Sequence, residues 1–390
     1  MHKRSYAVMF GVVATELVGF GLIIPVLPQI SQQYTSSGVL LGLLIASYSL
    51  AQFVGAPFLG RWSDHVGRKP VLIISKIGTI VSYGILAISH QYWMLLVSRI
   101  IDGLTGGNIA VARAYLADIT PAKQRSRAMA LIGIAFGVGF ILGPILGAFC
   151  YRISADFSVA GMVGAAMSLL SLIVTLTLVK EPDRIRPITR VSLYHQWRGV
   201  NTYAYGLLIA AFAGMFLFSA FESSFAVFTS QKFGYSEVEN SYLFAAIGIA
   251  AFVIQGSFVR FSISPITRAL RVAFFSIGIG LTLSVLFSHP LASMGSLILV
   301  LFGVAILNTH VPAALASDTD SAGFSMGIYE SINSMARIMG PLIVFSVFYA
   351  HIIRVYMYMG IGAFSAMIFL QWIVTNSPDQ HHHADAANPT

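Results

Sequence analysis

Twelve apolar runs follow one another along this chain, near residues 6–30, 38–59, 70–89, 93–115, 127–150, 155–179, 203–228, 238–259, 269–288, 293–314, 323–350 and 352–375. Each is close to the ~20 residues that a helix needs to cross a bilayer. Most of the gaps between them hold only a few polar residues. The pattern predicts an all-α membrane protein with 12 transmembrane helices. The longest polar interruption, 180–201, divides the runs into six and six. The expected organisation is an N-terminal six-helix bundle over 1–179, a cytoplasmic linker over 180–201, a C-terminal bundle over 202–376 and a polar tail over 377–390.

The densest polar knot lies between the second and third runs, from Gly60 to Pro70, and contains Arg61, Asp64, Gly67, Arg68 and Lys69. It reads as a tight turn between two spans. Gly60 and Gly67 permit a close backbone turn, and Pro70 suits the first turn of the next helix, where its missing N–H is not needed. Arg68 and Lys69 fix the side of the membrane. Asp64 accepts from Arg68, or from a neighbouring helix N-terminus, in one arrangement of the helices and loses that partner in another. Arg113, near the same face, is a further base within reach of Asp64.

Composition narrows the class. Of 390 residues, 56% are hydrophobic and 10% charged, and mean hydropathy is +0.79; a soluble domain carries about 25% charge. The net charge of +8 does not mark a nucleic-acid binder, because the bases lie between apolar spans. Of the 23 Lys and Arg residues, Lys76, Arg99, Arg113 and Arg337 fall inside spans, and Arg152, Lys232 and Arg354 lie on one side of the membrane. The remaining sixteen share the side of both termini, which the positive-inside rule assigns to the cytoplasm. Cys150 is the only cysteine, which excludes a disulfide framework. The first run, preceded by Met-His-Lys-Arg-Ser, reads as a retained span, and His381 to His383 as part of a polar end.

The halves resemble each other. Asp102-Gly103, Asn108 and Asp118 recur as Phe302-Gly303, Asn308 and Asp318, and Gly143-Pro144 recurs as Gly340-Pro341. An internal duplication of this kind sets a transporter's binding site between the repeats, near mid-membrane. The second copy of the opening turn, Gly256 to Leu270, has no acid in place of Asp64.

Charges inside spans are the candidate chemistry, since each costs about 2.5–3.5 kcal/mol at a helix centre without a partner or water. Glu16 lies mid-way along the first run with no base near it in sequence, the setting of a proton-carrying carboxylate. Arg99 and Asp102 stand three apart on the fourth and face the same way. The pair reads as lining a cavity or as a static ion pair. Glu222 on the seventh is a second cavity acid or an interfacial one. Glu330 and Arg337, seven apart on the eleventh, share a face and read as a helix lock. Lys76 and Arg113 snorkel towards the cytoplasmic face. His310, near the end of the tenth, is a proton-relay candidate. In the fifth run, glycines at Gly139, Gly143 and Gly147 make a groove for close helix packing, and Pro144 bends it.

The opening turn resembles the loop signature of the major facilitator superfamily through Gly60, Asp64, Gly67, Arg68, Lys69 and Leu72. With the strings from Gly19 to Pro28, Gln52 to Gly60, Arg99 to Gly106 and Ala117 to Thr120, and the glycine string around Gly143-Pro144, the chain resembles the drug:proton antiporter branch and its tetracycline-efflux-like transporters. The resemblance implies two pseudo-symmetric six-helix bundles, alternating access, and a cavity lined by spans 1, 4, 7 and 10. Gln52, Asn108 and Asn308 join Glu16, Arg99, Asp102 and Glu222 as its candidate lining. Glu16 stands where tetracycline pumps carry Asp, Ser82-Tyr83 where they carry an acid, and Asp102 is unusual beside the motif arginine. These departures argue against metal–tetracycline as the substrate.

The expected activity is proton-coupled export of a small organic or drug-like compound across the cytoplasmic membrane, by a monomer contacting lipids and protons and needing no cofactor beyond the proton gradient. A symporter or uniporter for a nutrient, amino acid or siderophore-like metabolite, and a non-transporting receptor or assembly partner, stand beside it. No Ser/His/Asp string, phosphate loop or metal-ligand spacing points to an enzyme.

Overall fold

Apolar runs bounded by proline, glycine and charge become helices because a bilayer leaves backbone N–H and C=O groups no partner but each other. The computed structural model describes residues 2–106, 108–120, 125–181, 202–258, 263, 265–318 and 322–375. The linker from 182 onwards, the tail over 377–390, Lys123, Arg260 and the side chains of Arg125, Arg127 and Asp318 lie outside the described residues, as do residues 259–262 and 264 of the second copy of the opening turn.

Spans 1 to 6 are His2–Ile23, Gly38–Val66, Arg68–Ala87, Tyr92–Thr105 continued by Asn108–Ile119, Arg125–Ile153 and Ser158–Leu178. Spans 7 to 12 are Thr202–Phe233, Glu237–Phe258, Ile266–Leu286, Pro290–Asp318, Ala322–Phe348 and Ile352–Thr375. Among the described residues there is no strand, and eleven of these segments are long and apolar enough to cross a membrane. The eleventh span is itself a helix of 27 residues.

Two of the boundaries that depart from the hydropathy pattern have a backbone reason. The first run does not continue to 30 as one helix. It stops at Ile23, ahead of Pro25, and resumes as the short helix Leu27–Ser31, because proline removes a donor and disfavours helix at the residue before it. The second run outlasts its apolar stretch by a further two turns, to Val66. Gly60 is therefore helical, with open space around it, and does not turn the chain. The turn is Gly67 alone, at φ 115 and ψ 158, a conformation that side-chain-bearing residues rarely adopt. Arg68 begins the next helix.

The described residues form two compact units. The first comprises spans 1 to 6 with 223–249 and 341–350; the second comprises 202–222, 250–340 and 351–375. Within the first unit, span 1 packs on span 5, span 3 on spans 4 and 6, and span 2 on span 4; within the second, span 9 packs on spans 10 and 12. The spaced glycines of span 5 lie flush on span 1. A Cβ on Gly143 would stand 2.7 Å from Gly21 Cα, and one on Gly147 2.7 Å from Leu22 O. The duplicated glycine does the same in the second unit, where a Cβ on Gly340 would meet Phe216 O at 3.1 Å.

The first unit also joins elements from both halves of the sequence, on the face away from Gly67. Gln29 Oε1 accepts from Asn240 Nδ2 at 2.9 Å, and Asn240 in turn meets the Thr229 hydroxyl. The Arg152 guanidinium lies 5.5 Å from the Tyr242 ring centroid. Gly42 takes the backbone of Pro341 and Leu342 close against it. Amide hydrogen bonds, glycine packing and cation–π contacts, among them Lys232 over the Phe228 and Phe233 rings, hold this end.

Candidate functional site

Spans 1, 3 and 4 carry four charges into the interior of the first unit. Glu16 is not alone, as its sequence neighbourhood implies: Lys76 Nζ lies 2.6 Å from its Oε2, the two side chains being 7% and 0% exposed. The expected snorkelling of Lys76 is therefore wrong. It turns inward because Glu16 and the carbonyl of Val12, 3.2 Å away, supply the partners that an ammonium needs in an apolar interior. Thr79 donates to the other Glu16 oxygen at 3.4 Å. The base that spacing along one span could not reveal comes from two spans away.

Arg99 Nη1 meets Asp102 Oδ2 at 3.3 Å, and its guanidinium lies 5.9 Å from the centroid of the Tyr83 ring. Tyr83 in turn is wedged against span 1, its hydroxyl 2.7 Å from where a Cβ on Gly19 would lie. Tyr83 thus lies between the Arg99–Asp102 pair and span 1. Arg99 keeps two donors, Nε and Nη2, without a hydrogen-bond partner among the described residues, and both polar atoms of the buried Asn108 amide are in the same condition. Gln52 bridges to span 4 where that span is interrupted, donating to Gly106 O at 3.0 Å. Asn308 is half-buried on span 10.

The remaining in-span candidates separate. Glu222 is half-buried, and the charge acting on it is Arg337. Of the pair expected to lock helices, Glu330 is exposed and Arg337 half-buried. His310 accepts from Ile263 N at 2.9 Å through Nε2 and faces Ile306 O at 3.0 Å through Nδ1. With both nitrogens engaged by backbone, it holds Ile263 ahead of span 9. Among the described residues no cluster of three His, Cys, Asp or Glu could hold a metal.

A second constellation lies at the opening turn. Arg68 bridges two acids, Asp64 at 2.6 Å and Asp118 at 2.8 Å, and donates to Ser63 Oγ at 2.6 Å. Arg113, considered as a further base for Asp64, is exposed. Glu181, just past span 6, accepts from Arg68 N at 2.6 Å and Lys69 N at 2.8 Å. A carboxylate there occupies the positive end of the span 3 dipole. Gly67 leaves room for it, since a Cβ would stand 2.9 Å from the Glu181 carboxyl. Lys69 Nζ donates to Leu176 O at 2.8 Å and Tyr115 to Lys180 O at 3.0 Å. Glu181 was missed in the sequence, where its signal was an acid placed just after an apolar run on the face where span 3 begins.

The pattern of the Major Facilitator Superfamily matches residues 9–341. Tetracycline resistance protein, class E, of Escherichia coli is 27% identical over 354 residues, covering 87% of each chain. Quinolone resistance protein NorA of Staphylococcus aureus (strain MRSA252) is 28% identical over 389 residues, 95% of this chain and 96% of that protein. The crystal structure of the human organic anion transporter MFSD10 (TETRAN) matches with a TM-score of 0.71 at 24% identity, over 94% of this chain and 99% of that one. With twelve spans, a duplicated half and buried charge between its helices, the chain belongs to the major facilitator superfamily.

Proposed function

We propose that this transporter exports a small organic, drug-like compound in exchange for entering protons, by alternating access. The observation that carries the reading is the pair of interior ion pairs, Glu16–Lys76 and Arg99–Asp102. Each is neutral as it stands. A proton on either carboxylate leaves a base buried without its counter-charge, which costs several kcal/mol in a dry interior. Protonation and helix rearrangement are thereby linked. One proton crossing 100 mV supplies about 2.3 kcal/mol, to which the pH difference adds. The relatives named for tetracycline and quinolone resistance support export of drug-like molecules.

In this reading the opening turn, Asp118 and Glu181 form a latch on the cytoplasmic side of the inner membrane, where the excess of Lys and Arg puts them. The contacts of Gln29, Gly42 and Arg152 hold the other face shut and part in the opposite state. The protein works as a monomer among lipids, with protons as its only driver. A second reading, symport of an organic anion, is favoured by the two unpartnered Arg99 donors and by the organic anion transporter of the same fold.

Flux in reconstituted vesicles under an imposed pH gradient tests both. Export predicts that substrate moves against the direction of proton flow, and that Glu16→Gln inserts normally but loses the dependence on the gradient. Substrate moving with protons selects symport. Gradient-driven flux unchanged in Glu16→Gln removes Glu16 from the coupling.

A further inference from the structure

Two neighbours on span 3 reach different spans. Lys76 reaches span 1, where it meets Glu16 Oε2 at 2.6 Å and Val12 O at 3.2 Å. Ser75, beside it in the chain, points roughly 100° away around the helix and donates to Thr105 O on span 4. Both residues are fully buried.

Thr105 ends the helix Tyr92–Thr105, which carries Asp102 three residues earlier. Carbonyls at a helix end lack donors from a following turn, and here side chains of two other spans supply them. Ser75 holds Thr105 O, and Gln52 of span 2 holds Gly106 O at 3.0 Å. The same turn is tied back to Asp102. Gly106 N donates to Asp102 O at 2.6 Å, and the Thr105 hydroxyl donates to Ile101 O at 2.8 Å. Glycines bring the neighbouring backbones hard against it. A Cβ on Gly55 would stand 2.9 Å from Leu104 Cα, and one on Gly78 would run into the Thr105 side chain. An interior packed this closely transmits displacement.

A proton on Glu16 leaves Lys76 with Val12 O as its one partner among the described residues. A buried ammonium so stripped must move, and Ser75 moves with it. The charges that act on Asp102 are Arg99, Glu16 and Lys76, with the Tyr83 ring against Arg99 and Tyr48 packed on Gly103.

We propose that Ser75 is a positioning residue for proton coupling. It passes the movement of Lys76, as Glu16 gains or loses a proton, to the turn of span 4 that holds Asp102. The two carboxylates then load and release together. The proposal rests on the proton-exchange reading and names how its two ion pairs communicate.

Amide hydrogen exchange over residues 103–106 tests it, on the full chain in nanodiscs of phosphatidylethanolamine and phosphatidylglycerol at pH 7. Glu16→Gln mimics the protonated acid and should speed exchange there by about fivefold, the equivalent of one hydrogen bond. Ser75→Ala should speed it by a similar factor, and adding Glu16→Gln to Ser75→Ala should change nothing further. Ser82→Ala removes a comparable bond between spans 3 and 4, to Ser98 O at 2.9 Å, and should leave the Glu16→Gln effect intact. Additive effects of Glu16→Gln and Ser75→Ala overturn the proposal, since they would make Ser75 a packing bond only. Unchanged exchange in Glu16→Gln alone also overturns it, even if Ser75→Ala fails to fold. Gradient-driven flux of a panel of drug-like compounds separates the two claims. Flux without the exchange effect discards only this role of Ser75, and absence of any flux discards the transport reading.

Discussion

The interior pairs and the opening turn use the same residue types in opposite settings. Glu16–Lys76 is sealed, with side chains 7% and 0% exposed, whereas Asp64 and Asp118, the acids around Arg68, are 30% and 34% exposed. In the interior, removing one partner strands a charge, and the penalty exceeds anything the pair contributed. At the turn, water replaces a lost partner, and each contact is worth only about 0.2–1 kcal/mol. A strong, all-or-none pair suits a group that must bind and release a proton. A cluster of weak, replaceable bonds suits a latch that opens every cycle. The opposite end of the first unit differs from the latch again: there Gln29, Asn240 and packed glycines make the contacts.

The sharpest way to break this contrast is Lys76→Met. It leaves Glu16 buried and unpaired, and a loss of about 3–5 kcal/mol is expected, read as a fall in thermal stability. Adding Glu16→Gln to Lys76→Met should restore most of that stability but not proton-driven transport. A double variant no more stable than Lys76→Met would mean that the two residues do not compensate each other. Next in size is the latch. Asp118→Asn and Asp64→Asn should keep substrate binding and slow exchange by several-fold, in keeping with contacts of about 0.2–1 kcal/mol. An exchange rate equal to the unmodified protein's removes the turn from the cycle.

Glu181→Gln should have a smaller effect. It keeps the shape of the cap but removes the charge from the span 3 N-terminus, worth about 0.3–1 kcal/mol. The difference in exchange rate should shrink as salt rises, because the site is exposed; a salt-independent effect would point to lost shape and not lost charge. The smallest concerns Asp156, between spans 5 and 6. Hydrogen bonds from the hydroxyls of Ser154 and Ser158 hold its carboxyl below the usual aspartate range, helped by Ser158 N at 2.9 Å. A lowered folded pKa means that this stabilisation is present above the unfolded value of about 3.9 and fades as pH falls through the folded value. Asp156→Asn should therefore lower thermal stability by the same modest amount at pH 6 and pH 8. A difference between those two pH values would contradict the assignment.

The spans were legible because a bilayer imposes one length and one solvent on every segment, so hydropathy alone marks them. The turn was legible as a motif but not as a shape, since helix continued through the polar residues to Val66 and left the reversal to Gly67. Pairing inside one span could be read from spacing, as for Arg99 and Asp102. Pairing between spans could not: Lys76 looked close enough to the membrane surface to snorkel, whereas its side chain reaches from span 3 to Glu16 and Val12 O on span 1. His310 shows the same limit in reverse. Its residue type suggested titration, and its backbone partners make it a brace.

The central claim is that interior carboxylates exchange protons for substrate, and the most direct test is proton release on substrate binding. Purified transporter in weakly buffered solution, with a pH-indicating dye, should release protons when a transported compound is added. Glu16→Gln combined with Asp102→Asn should bind the same compound and release none. Equal release from the double variant, or binding without release by the unmodified protein, would contradict the account.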